Sequence, residues 1–213
     1  LNMVTGQAAA ILAADTAHSG LTITNSHFSS TMALEGYSTG SLVESNDNTT
    51  ISYATFRGTG ATTQSRGVGV SWSVDTQVNI DHISFDNLYL PVNNGSSASG
   101  TTDLQITNSA FGEFHASSWA GAINTAGVDS TINEDYNAWL TSGANQLVAA
   151  VTPGNVTYGS NTLAAFTNPA DIFTGDTSSG DWTVAAGLQG QGSGGTTIGF
   201  WQPVPEPASL SLL

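Results

Sequence analysis

The densest group of chemically capable side chains in this chain is Asp75, Asp81, His82 and Asp86, with Asp103 a little further on. Two carboxyl groups a few ångströms apart, one with a raised pKa, are what glycoside hydrolysis requires. Elimination from a uronic acid needs instead a neutralised substrate carboxylate and a base, commonly Ca²⁺ held by carboxylates together with Arg or Lys. The chain has no lysine, so Arg57 and Arg66 are its only cationic candidates, and Arg57, directly after Phe56, is expected to point outward. None of these residues requires a cofactor, and Ca²⁺ is the ion such carboxylates would accept. The same aspartates would equally serve to cap turns. His18, His27 and His115 are scattered, without metal-ligand spacing, and read as surface or loop residues.

The formal net charge is −14, from 16 Asp and Glu against two basic residues. Neutralising phosphates takes clustered Lys and Arg, so nucleic acid is excluded as a partner. The acids are spread along the chain, as on a solvated surface. With 24 Gly, 8% charged residues and abundant Ser, Thr and Asn, the chain is poor helix material and suits an all-β class. The absence of cysteine leaves the redox compartment open. No run of about eighteen apolar residues is present to span a membrane. The chain opens at Leu1 with a segment too poor in positive charge for a signal peptide, which reads as a fragment or a processed form.

The elements that must position the acidic group emerge from internal repetition. Four segments superimpose: Leu21 to Phe28, Thr49 to Phe56, Val78 to Phe85 and Leu104 to Phe111. Each carries an Ile followed five residues later by a Phe, and the isoleucines Ile23, Ile51, Ile80 and Ile106 lie 28, 29 and 26 residues apart. A weaker fifth copy is expected at Ile132 and a sixth around Val156. An odd separation cannot hold both side chains on one face of an uninterrupted strand. The chain must therefore bend between them, and Asn25 and Asn108, two residues after Ile in the cleanest copies, are the residue type that best tolerates a left-handed corner. Stacked corners put Ile on Ile and Phe on Phe, burying what one copy alone cannot. That stacking predicts Asp81 beside Ser52 and Thr107, His82 beside Tyr53 and Asn108, and Asp103 within lateral reach of Asp75. Between the copies, Val68, Val70 and Trp72 alternate as a further strand.

The pattern I-x-N-S-x-F through these corners resembles the right-handed parallel β-helix of the pectin-lyase-like superfold, with Tyr53 and His82 replacing the corner Asn in two copies. The C-terminal third resembles the closing coils of bacterial β-helix proteins at Asp135, Tyr136, Asn137, Pro169, Phe173, Asp181, Trp182, Gly187, Ile198 and Gly199, with Val184 where Leu is usual. The resemblance implies a single-stranded right-handed parallel β-helix of about six coils over residues 1–201, expected to be the C-terminal part of a longer solenoid. Residues 202–213 would follow as a tail. There the run from Val204 to Ser209, with Pro205, Glu206 and Pro207 at its centre, resembles the PEP-CTERM sorting signal. Three prolines within residues 203–207 enforce an extended chain. Such a signal normally continues into a hydrophobic span, of which Leu210, Ser211, Leu212 and Leu213 would be the start.

That second resemblance implies export by a Gram-negative bacterium, exosortase handling, and a place on the cell surface or in the extracellular matrix, with only transient membrane contact through the tail. One superfold hosts many functions, so architecture does not name a reaction. The expected role is structural, filament-forming or glycan-binding, with extracellular polysaccharide or other copies of the chain as partners, and Trp119 and Tyr89 as exposed rings on which sugars would stack. The alternative is a carbohydrate-active enzyme, a polysaccharide lyase or glycoside hydrolase. Ice binding is disfavoured because the Thr22 and Thr24 pair gives way to Asn79 and Asp81 in the third copy.

Overall fold

A computed structural model describes residues 11–13, 20–29, 41–45, 48–58, 65–70, 76–94, 102–115, 121–125, 131–140, 146–150 and 156–200. It is all-β, with parallel strand pairing throughout two sheets. The Thr-, Ile- and Phe-rich copies form the long strands β2 (Leu21–Ser29), β4 (Thr49–Arg57) and β6 (Thr76–Asp86). The later copies break at the corner into β8 (Thr102–Thr107) with β9 (Ala110–Phe111), β11 (Thr131–Asp135) with β12 (Ala138–Leu140), and β14 (Val156–Tyr158) with β15 (Leu163–Phe166). Between successive copies the chain crosses to a second sheet of β1 (Ile11–Ala13), β3 (Ser41–Ser45), β5 (Arg66–Val70), β7 (Leu90–Asn94), β10 (Gly121–Thr125) and β13 (Gln146–Ala150), hydrogen-bonded in that order.

Register carries the side-chain ladders. Ile23, Ile51, Ile80 and Ile106 are successive partners, as are Phe28, Phe56, Phe85, Phe111 and Trp139. The four Phe rings stack with centroids 4.9, 5.3 and 5.0 Å apart, close to the roughly 4.8 Å spacing of paired strands. From the opposite sheet Val43, Val68, Val92 and Ile123, all fully buried and in register, complete this core. Each such side chain contributes about 1.5–3 kcal/mol relative to exposure.

The bend between Ile and Phe is one residue in the left-handed region: φ is 49° at Asn25, 51° at Tyr53, 53° at His82, 51° at Asn108 and 54° at Tyr136. Tyr and His thus adopt the same corner as Asn, because the flanking ladders on both sides hold the backbone in place. The fifth copy is displaced from its expected alignment. Ile132 pairs with Leu104, and Glu134 takes the place below Ile106, five residues before Trp139. The corner at Tyr136 sets that register, so the backbone bend, rather than the nearest Ile, is what repeats. Val156 continues the Leu104 and Ile132 row.

Residues 167–200 form no long strand. Short 3₁₀ turns at Pro169–Asp171, Thr177–Ser179, Ala186–Leu188 and Ser193–Gly195 carry this closing segment back across the outside of the long-strand sheet. Beyond the corner the outward row is Thr55, Ser84, Ala110 and Ala138, all small and all buried. Onto the alanines of that row pack Ile172, Phe173, Trp182, Val184, Leu188, Ile198 and Phe200, a second apolar cluster distinct from the Ile and Phe core. Gly199, at φ +89°, lies so close that a Cβ there would meet Ala110 Cβ at 2.9 Å and Ser84 Oγ at 3.0 Å.

Candidate functional site

The third copy brings Asp81 and His82 together at its corner. The strand before the corner alternates faces, so Asp81 projects outward opposite Ser52 and Thr107. Its Oδ1 accepts from Thr107 Oγ1 and from Asn108 Nδ2, both at 2.8 Å, while Oδ2 lies 2.7 Å from His82 Nδ1. The His82 ring is buried and stacks on Tyr53 at 4.8 Å. Burial pushes the Asp81 carboxyl up, but the hydrogen bonds from His82, Asn108 and Thr107 outweigh it and hold the group below its ordinary value. An ionised aspartate that orients an imidazole is half of a general-base arrangement. It is equally a bracket tying the corners of the third and fourth copies together.

Asp86 and Asp103, the other described members of the acidic group, do not join it. Asp86, at the far end of β6, accepts from the Glu113 N–H at 3.0 Å and from Thr177 Oγ1 at 2.5 Å. Asp103 accepts from Thr131 Oγ1 at 2.7 Å. Asp75 lies outside the described residues, as do His18, Trp72, Trp119 and the tail with Pro205, Glu206 and Pro207. Among the described residues no group of three His, Asp or Glu is arranged to hold a metal ion, and no helix is long and apolar enough to cross a membrane.

No family model, curated protein or solved structure matches the chain.

Arg57 is not a free outward cation. It is half-buried, and its Nε donates to Thr177 Oγ1 at 3.2 Å, so that Thr177 links it to Asp86. The closing segment folds back over this end of β4, 120 residues along the chain, which the local sequence around Phe56 gives no means of anticipating. Arg66 is 7% exposed, and burial pulls its pKa down against the opposing influence of Tyr89 and Glu44. Tyr89 is half-buried in a bend instead of standing exposed, with its N–H on the Ser65 carbonyl at 2.9 Å. His27 is exposed at the surface as expected, within β2; its Nδ1 is 2.8 Å from Thr55 Oγ1 and its ring meets Phe200 edge-on at 5.2 Å. His115 approaches Asn87 Oδ1 at 3.2 Å.

Sequence reading missed Glu134. Facing inward at 3% exposure, its carboxyl accepts from Thr162 Oγ1 at 2.5 Å and from Asn137 Nδ2 at 3.1 Å. Burial raises its pKa, opposed by those two hydrogen bonds. Asn137, fully buried, also donates to the Ile106 carbonyl and accepts from the Ser109 N–H, so the pair forms a polar plug in the ladder. Counting five residues back from Trp139, instead of aligning on Ile132, would have found it.

Proposed function

We propose that this chain is a right-handed parallel β-helix of about six coils, displayed on the surface or in the extracellular matrix of a Gram-negative bacterium. Its role is structural or glycan-binding rather than catalytic. The observation carrying the non-catalytic reading is the occupation of the two described third-copy carboxylates. Asp81 spends both oxygens on Thr107, Asn108 and His82, and Asp86 spends both on Glu113 and Thr177. Carboxylates engaged in this way brace adjacent copies, whereas glycoside hydrolysis calls for one free acid and one free base across a substrate. Thr22, Thr24, Thr50, Gln105 and Asn133, exposed along the long strands, suit a scaffold that presents hydroxyl and amide groups, and the V-P-E-P run of the tail supports display outside the cell.

The second reading, a carbohydrate-active enzyme, draws on the 2.7 Å contact between Asp81 and His82. Incubation with a broad panel of acidic and neutral polysaccharides separates the two, with unsaturated products, reducing ends and retention of the protein on insoluble polymer all measured. Retention without turnover is expected; turnover lost on Asp81→Asn would overturn the non-catalytic reading. Intact-mass analysis of the protein from its native source tests the tail, with cleavage near Pro205 expected and an unprocessed tail counting against sorting.

A further inference from the structure

The closing segment does more than cover the sheet: where it meets the first two copies it leaves a groove of about 360 Å³, within the roughly 300–1,000 Å³ range of small-molecule sites. Its walls are His27 and Ser29 from β2, Arg57 from β4, and Ser178, Ser179 and Trp182 from the closing segment. We propose that this groove binds a neutral saccharide unit, an assignment that rests on the glycan-binding reading above and gives it a place.

Three features of the groove carry the inference. Its donors and acceptors are spread over two independent stretches of chain, so they converge only in the folded protein. The Ser178 and Ser179 hydroxyls donate to Asp176, at 2.5 Å to Oδ1 and 2.9 Å to its carbonyl, and keep their oxygens as acceptors, while the Ser29 hydroxyl and the His27 Nε2, whose ring partner Nδ1 meets Thr55, can each donate or accept as sugar hydroxyls do. Arg57 uses Nε on Thr177 and reaches the Gly58 carbonyl with Nη1 only at 3.4 Å. Arg57 lines the groove, and the guanidinium N–H groups that Thr177 does not take suit adjacent hydroxyl oxygens.

Charge decides between neutral and acidic sugars. The Arg57 cation already faces Asp86 through Thr177, and Asp176 stands close enough to feel it. The groove therefore offers no surplus positive charge, and the chain around it carries a net charge of −14. A uronic acid would meet repulsion that a neutral sugar does not.

Calorimetric titration of the full chain with neutral oligosaccharides of glucose, mannose and galactose, beside uronic-acid oligomers, tests the assignment. Binding of a neutral oligosaccharide is expected, with affinity falling about tenfold or more in Arg57→Ala. Ser179→Trp, an exposed position where the new ring would fill the groove without entering the core, should abolish it. Circular dichroism of both variants checks that they fold. Neutral binding unchanged in both variants would overturn the groove while leaving the glycan reading intact. Preference for uronic oligomers would overturn the charge argument, and failure of every saccharide to bind would overturn the glycan reading itself.

Discussion

The backbone N–H of Phe200 donates to the Ser84 hydroxyl at 2.8 Å, joining residues 116 positions apart in a fully buried contact. Beside it the Gly199 N–H reaches the Asn108 carbonyl at 2.6 Å and the Ser193 N–H reaches Asn108 Oδ1 at 2.7 Å. The closing segment is thus fastened to the third and fourth copies at a row where the side chains are small. Ser84→Ala strands the Phe200 N–H without its acceptor, at an expected cost of about 1–3 kcal/mol. A denaturant midpoint shift, together with faster protease cleavage within residues 167–200, checks it; unchanged midpoints would show that the segment does not depend on this bond.

The Phe ladder makes a graded prediction. Phe85 is sandwiched between Phe56 and Phe111 and is 1% exposed, whereas Phe28 is half-buried with one described ring neighbour of the ladder. Phe85→Ala is expected to cost about 3–5 kcal/mol, and Phe28→Ala clearly less. Urea melts of the two variants read the difference, and equal losses would contradict a ladder whose middle bears most of the burial.

At the corners, side-chain type should matter through backbone strain alone where the ring makes little contact. Tyr136 holds φ 54°, a conformation costing an L-residue about 1–2 kcal/mol. Tyr136→Asn should be neutral or stabilising, since Asn25 and Asn108 occupy the equivalent positions, while the β-branched Tyr136→Val should destabilise by about 1 kcal/mol or more. Thermal melts of both variants give the test.

These residues also show how much of the architecture was open to sequence reasoning. The Ile and Phe rows and the left-handed corner follow from a five-residue spacing and two Asn residues, because strand alternation makes an odd spacing incompatible with one straight strand. Asp81 and His82 could be placed for the same reason, since register alone sets their neighbours. What lay beyond reach came from long-range closure. Nothing near Phe56 indicates that Thr177 will engage Arg57, and nothing near Asp86 indicates that its carboxylate will be consumed by the closing segment. Glu134 was hidden differently: an acid in a row of isoleucines breaks the hydrophobic pattern that the alignment followed.

Glu134 supplies the pH prediction. Its folded pKa lies above the ordinary value of 4.5, chiefly through burial, so the folded state binds the proton more tightly than the unfolded chain. That contribution is fully present below the unfolded value and is lost as pH rises through the folded one. Asp81 runs the other way, its contribution being present above its ordinary value of 3.8 and lost as pH falls through the lowered folded one. Glu44 is also raised by burial, against the influence of Arg66, so the parent protein alone does not isolate Glu134. The difference between parent and Glu134→Gln does, because Glu44 and Asp81 are common to both. Glutamine keeps an acceptor for Thr162 and Asn137 and carries no charge at any pH. The variant should therefore gain stability relative to the parent as pH rises from 4 toward 7. Thermal melts of the pair across that range measure it, and a difference that stays flat would mean that Glu134 titrates alike in the folded and unfolded chain.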